Sequence, residues 1–114
     1  MALLNFTRGI GPALVFELHG SLDGAGAEKL APQVSKALDE GHHLLIFDLA
    51  KLTFVSSAGL SVFLTAYRRL QGTGHVRFAG LQEVVRQVFN ITGLSVRVEI
   101  YPTVEDALAG PTRS

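Results

Sequence analysis

Short apolar runs of period two alternate along the chain with stretches whose apolar residues recur every three or four positions. Leu3 to Arg8 reads as a short edge strand, closed by the turn-forming cluster Gly9-Ile10-Gly11-Pro12. Leu14, Phe16 and Leu18 then alternate with Glu17 and His19, and the short link between the two runs predicts an antiparallel pair. Gly20 to Gly26 reads as a loop. A helix from about Ala27 to Glu40 follows, with Leu30, Val34, Ala37 and Leu38 on one face, and Gly41 stops it. Pro32 lacks the donor a helix interior needs, so the regular helix is expected to start late, with Pro32 in its first turn or so.

The middle of the chain carries the strongest pattern. Leu44 to Leu49 is nearly continuous apolar sequence broken only by Asp48, as expected of a central strand covered on both faces. It leads into Phe54-Val55-Ser56-Ser57-Ala58-Gly59-Leu60-Ser61, a strand-to-helix turn. A helix from about Ala58 to Gln71 follows, with Leu60, Phe63, Leu64, Tyr67 and Leu70 on its apolar stripe and Arg68 and Arg69 off it. Val76 to Ala79 is a further core strand. Leu81 to Phe89 is a short helix with Leu81, Val84, Val85 and Val88 inward, and Val96 to Tyr101 is a last alternating strand. Thr103 caps a final helix through Leu108, with Asp106 at capping-box distance. The order β-β-α-β-α-β-α-β-α predicts an α/β fold: a mostly parallel sheet of four to five strands with one antiparallel edge and about four helices. The chain is expected to form a single domain over residues 1–114, its core spanning about 3–108 and residues 110–114 forming a flexible tail.

Composition narrows the function classes. Hydrophobic residues make up 47% of the chain and charged ones 18%, so a packed core rather than disorder is expected. Ten basic and ten acidic residues balance, leaving no electrostatic footprint for nucleic acid or an anionic membrane. With no cysteine, a disulfide scaffold, a thiolate metal site and a cysteine nucleophile are all excluded. The first residues lack a basic start followed by an apolar run and a cleavage site, and the longest apolar stretch falls far short of the roughly 20 residues needed to span a bilayer. A cytoplasmic protein without membrane insertion is expected.

Candidate chemistry concentrates at Ser56 and Ser57. Hydroxyls at a strand-to-helix turn sit at the positive end of the helix dipole, and either serine could also act as an ordinary helix cap. A hydrolase nucleophile elbow would need Gly-x-Ser-x-Gly, whereas Val55 lies two residues before Ser57, and none of His19, His42, His43 or His75 is tied to Ser57 by spacing. All four histidines are read as solvated. His42 and His43 are neighbours on a strand and point to opposite faces, with no third ligand at a recognisable spacing, so no metal site is expected. The glycines at 20, 24 and 26 form neither Gly-x-Gly-x-x-Gly nor a P-loop, and no cofactor is implied. Asp23 is read as a local cap or, if the two strands are parallel, as a neighbour of the Ser56-Ser57 turn on one edge of the sheet.

Four features together resemble the STAS domain, and within it the bacterial anti-sigma factor antagonists. Gly20-Ser21-Leu22-Asp23 is similar to the family's Gly-x-Leu-Asp. Asp48-Leu49 followed by Val55-Ser56-Ser57-Ala58-Gly59-Leu60 resembles its central strand and signature turn. Ile91-Thr92-Gly93-Leu94 resembles the segment before its last strand, and the element order matches from about Leu3 to Leu108. The resemblance implies a non-enzymatic regulator that binds an anti-sigma factor with serine kinase activity and so releases a sigma factor. It also implies phosphorylation in the turn, reversed by a PP2C-type phosphatase. Where many members carry Asp-Ser-Ser/Thr-Gly, this chain has Ser56-Ser57-Ala58-Gly59, so the phosphoacceptor carries over to Ser57, with Ser56 as second choice. The partner surface carries over to Ser21, Asp23, Gly24, Val55, Ser56, Ser57, Ala58, Gly59, Leu60 and Ser61. The alternative on the same fold is an unphosphorylated STAS subunit of a transport or other signalling assembly.

Overall fold

A computed structural model describes residues 2–111. Its elements are β1 (Leu4–Ile10), β2 (Ala13–Leu22), α1 (Gly24–Asp39), β3 (Leu44–Val55), α2 (Ser57–Leu70), β4 (His75–Ala79), α3 (Glu83–Ile91), a 3-10 turn (Leu94–Val96), β5 (Glu99–Tyr101) and α4 (Val104–Ala109). The strands form one five-stranded sheet in the order β1-β2-β3-β4-β5. β1 is the antiparallel edge, and the other pairings are parallel. Each parallel crossover moves one strand further in the same direction, so right-handed connections return the crossover helices α1, α2 and α3 to one face. That face packs Phe16, Leu18, Leu45, Phe47, Val76 and Phe78 against α1, α2 and α3. At its centre the Phe47 ring lies 5.2 Å from Phe16 and 5.3 Å from Phe78, with Phe63 and Phe89 closing the aromatic cluster from the helices. The second face, built on Val15, Leu44, Ile46 and Ala79, is covered by α4 through Ala107.

Several sequence expectations change. β2 and β3 are longer than their alternating runs, because β3 carries one extra residue between the pairs Glu17↔Asp48 and His19↔Lys51, and another between Gly20↔Leu52 and Ser21↔Phe54. These bulges turn the buried spacing from two into three, giving Leu49, Leu52 and Val55, and hide the strand from a period-two reading. Gly20 takes a φ of 91° beside the second bulge, a backbone a side chain would strain. The stretch read as a loop from Gly20 to Gly26 is therefore strand through Leu22 and helix from Gly24. Pro32 lies two turns inside α1 rather than in its first turn; it sits on the exposed side, where water can reach the carbonyl it leaves unbonded.

The inner stripe of α2 is Gly59, Val62, Phe63, Ala66 and Leu70, rotated from the expected one, so that Leu60, Leu64 and Tyr67 are only half-buried. Val84 points outward at 58% exposure while Phe89 is buried, correcting the inward set of α3. The strand expected over Val96 to Tyr101 shortens to Glu99–Tyr101: Val96 ends a 3-10 turn over Leu94–Val96, entered through Gly93 at φ 79°, and is exposed.

Arg77 is fully buried on the second face. Its Nε donates to Glu99 Oε1 at 3.0 Å, its Nη1 to the Ala107 carbonyl at 2.9 Å, and its Nη2 to the Pro111 carbonyl, so one guanidinium closes the end of α4. Glu99 also accepts from His75 Nδ1 at 2.6 Å and from the Tyr101 hydroxyl at 2.9 Å. Burial alone would raise the Glu99 carboxyl, but these hydrogen bonds and the Arg77 charge hold it below the ordinary carboxylate value. His75 is thus a partnered side chain and not a solvated one, as is His19, 2.5 Å from Glu17. Gly110 and Pro111, where a tail was expected to begin, lie against Tyr101 and Arg77; residues 112–114 of that expected tail fall outside the described residues.

Candidate functional site

The carboxyl ends of β2 and β3 lie side by side, paired Ser21↔Phe54 and Leu22↔Val55. The next residue of each strand caps a helix. Asp23 is the N-cap of α1, its Oδ1 accepting from the Gly26 N–H at 2.8 Å. Ser56 is the N-cap of α2, its Oγ accepting from the Gly59 N–H at 3.1 Å. The parallel pairing anticipated from sequence thus puts Asp23 and Ser56 on one rim. No switch in strand order opens a crevice there, since neighbouring crossovers run the same way and both helices return on the same face. The rim is formed by two helix N-termini, and neither helix has an acidic residue in its first turn.

The two serines are placed differently. Ser56 is tied down: besides capping α2 it donates through Oγ to the Leu22 carbonyl at 2.9 Å, and its backbone N–H reaches the same carbonyl at 2.9 Å. Its hydroxyl stitches the end of β3 to the end of β2. Ser57 is the first residue of α2 and is exposed, and no hydrogen bond among the described residues involves its hydroxyl.

The small residues of the turn also separate by role. Gly59 is buried, and a Cβ there would lie 2.6 Å from Leu22 Cγ and 2.8 Å from Cδ2, so only glycine lets α2 sit this close to β2. Its smallness serves packing beneath the surface, whereas Ala58 is exposed. Gly26 plays a matching part under the Asp23 cap, where a Cβ would meet Leu3 Cβ at 3.1 Å and the Ser21 carbonyl at 3.2 Å. Of the partner-surface residues carried over from sequence, Gly24, Ser57, Ala58 and Ser61 are exposed, while Ser21, Asp23, Ser56 and Leu60 are half-buried. Val55 and Gly59 face the core.

Two neighbours were not among the partner-surface residues carried over from sequence. Phe54, opposite Ser21, is 47% exposed beside the turn. A groove of about 350 Å³ runs from Ser57 along Leu60, Ser61, Leu64 and Arg68 and is closed on its other side by Thr92, Leu94 and Arg97. The spacing of Leu60, Leu64 and Arg68 at four-residue intervals was the available signal, masked by assigning both leucines to the core stripe. Among the described residues, no group of His, Asp or Glu is placed to hold a metal ion, and no helix is long and apolar enough to cross a membrane.

Comparison with known proteins agrees with this architecture. A family model described as the STAS domain matches residues 4–107. BtrV of Bordetella bronchiseptica, named as a candidate anti-sigma factor antagonist, is 34% identical over 90 residues, which cover 78% of this chain and 75% of BtrV. An anti-sigma factor antagonist from Mycobacterium paratuberculosis superimposes with a TM-score of 0.88 at 22% identity, over 95% of this chain and 92% of that one. The Bacillus cell fate determinant SpoIIAA in its phosphorylated form gives a TM-score of 0.75 at 24% identity, over 93% and 97% of the two chains.

Proposed function

The chain belongs to the STAS domain family, and on that premise we propose that it works as an anti-sigma factor antagonist, a regulatory rather than catalytic protein, in a partner switch. The docking surface is the rim of Ser21, Asp23, Gly24 and the 55–61 turn. Its partner is an anti-sigma factor with serine kinase activity, whose engagement releases a sigma factor. The switch is phosphorylation of Ser57: its Oγ attacks the γ-phosphorus of Mg-ATP bound to the kinase, ADP leaves, and the hydroxyl proton passes to a base of the kinase or to water. A PP2C-type phosphatase hydrolyses the ester to reset it.

The observation that carries this reading is the contrast within the serine pair: the Ser56 hydroxyl is hydrogen-bonded on both sides, and that of Ser57 is exposed and has no hydrogen-bond partner among the described residues. An acceptor must be free to enter a kinase active site, and Ser57 can be modified without dismantling a cap. A phosphoryl group there adds about 1.5 to 2 negative charges and three acceptor oxygens to a surface that must lose its water on docking. The helix terminus favours that anion locally, while an apposed protein surface must desolvate it. SpoIIAA, which shares the fold, is itself known in a phosphorylated form.

The test is incubation with the anti-sigma kinase and Mg-ATP, followed by mapping of the site by mass spectrometry. A single phosphate on Ser57 is expected, and Ser57→Ala should abolish labelling. Absence of phosphate from both Ser57 and Ser56 would remove the switch from the account.

A further inference from the structure

The groove beside the turn differs in charge from the rest of this neutral chain. From Ala50 to Gln82 there is no aspartate or glutamate, so α2 and the segments at both its ends contribute no negative charge to the surface. Two other basic side chains are matched: Arg69 pairs with Asp39 at 2.6 Å, and Arg77 with Glu99 at 3.0 Å. Arg68 and Arg97, both exposed and both on the groove, have no ion-pair partner among the described residues. Between them the floor is apolar: Leu60 and Leu64, half-buried on the flank of α2, and Leu94 from the 3-10 turn. Ile91 at the end of α3 and Val96 in the 3-10 turn are exposed at 85% and 88%. Ser57 and Arg68 lie eleven positions apart on α2, a rise of about 16.5 Å, which suits about three turns of a partner helix.

We propose that this groove receives an acidic amphipathic segment of the partner protein, its apolar side chains over Leu60, Leu64 and Leu94 and its carboxylates against Arg68 and Arg97. The inference rests on the reading that docking occurs at this rim, and it adds the chemistry of what docks. Unpaired guanidiniums flanking an apolar floor reward a segment that brings both apolar surface and negative charge, and a basic segment meets two like charges with no acid in the groove lining to offset them. It also explains why the switch sits at Ser57. That residue lines the same groove, so a phosphate there adds negative charge to the surface that the segment's carboxylates must approach.

The test uses two synthetic helical peptides, each with leucines at i, i+3, i+4 and i+7; one has glutamates and the other lysines at the remaining positions. Each is titrated into the isotopically labelled full chain while backbone amide shifts are followed. The glutamate peptide is expected to perturb the amides of Leu60, Leu64, Leu94 and Arg97 and to bind at least tenfold more tightly than the lysine peptide. The Arg68→Glu/Arg97→Glu double variant should invert that preference, and Arg68→Lys/Arg97→Lys should keep it. Equal binding of the two peptides, or perturbation centred elsewhere, would overturn the inference. Kinase labelling of Ser57 is an independent readout: labelling without a selective peptide site overturns this inference alone, whereas a selective peptide site without labelling counts against the proposed switch and leaves the groove assignment standing.

Discussion

The Asp23–Ser56 rim and the cluster around Arg77 are both polar constructions on one sheet, and they treat their polar atoms in opposite ways. Around Arg77 every group is engaged: the guanidinium holds Glu99, the Ala107 carbonyl of α4 and the Pro111 carbonyl just past it, while His75 and Tyr101 occupy the remaining positions on the carboxylate. The cluster is closed, and its yield is structural, fixing α4 over the second face. On the rim, Asp23 and Ser56 satisfy backbone donors at two helix starts, and the residue immediately after Ser56 keeps its hydroxyl free. A fully satisfied polar network resists change. A satisfied frame around one unsatisfied, exposed group can tolerate a covalent change at that group without losing the frame. The difference separates polar residues that hold the fold from one whose hydroxyl is left exposed.

Breaking the closed cluster should have the largest effect. Arg77→Met leaves Glu99 without its cation and the carbonyls of Ala107 and Pro111 without donors, and should cost about 3–5 kcal/mol in chemical denaturation. Partner binding by the fraction that remains folded should persist, because the cluster lies on the face opposite α1 and α2. Gly59→Ala comes next. Its methyl would lie inside contact distance of the Leu22 side chain, and a cost of about 1–3 kcal/mol is expected on the same assay as α2 is pushed away from β2. Ser56→Ala should cost about 1–2 kcal/mol through loss of the α2 cap and of the link to Leu22.

The same contrast explains which parts of the molecule were legible in the sequence. The element order, the antiparallel edge and the Thr103 cap with Asp106 follow from periodicity and local chemistry, which need only neighbouring residues. The rim was half legible: the turn and Asp23 stood out, but the strand ends carrying them did not. Two bulges replaced the two-residue rhythm with Leu49, Leu52 and Val55, and the glycines around Asp23 looked like a loop although one of them opens a helix. The α2 stripe was displaced because Gly59 and Ala66 are core positions that contribute little apolar weight to a pattern. Arg77 was not legible at all. A charge inside an apolar strand is explained only by Glu99 and the end of α4, contacts 22 or more residues away along the chain. The roles of the two serines likewise depend on the Leu22 carbonyl, which no local motif reveals.

Substitution of Ser57 should leave the fold nearly untouched, since an exposed side chain without partners contributes within about 0.5 kcal/mol. The most direct measurement is therefore the affinity of the anti-sigma kinase for Ser57→Asp and Ser57→Ala, determined by titration calorimetry beside the unsubstituted chain. Severalfold or greater weakening for the aspartate variant, with the alanine variant binding as the unsubstituted chain does and both melting normally, is the predicted result. Equal affinity for all three would contradict the account, because a charge placed at Ser57 would then not be felt by the partner.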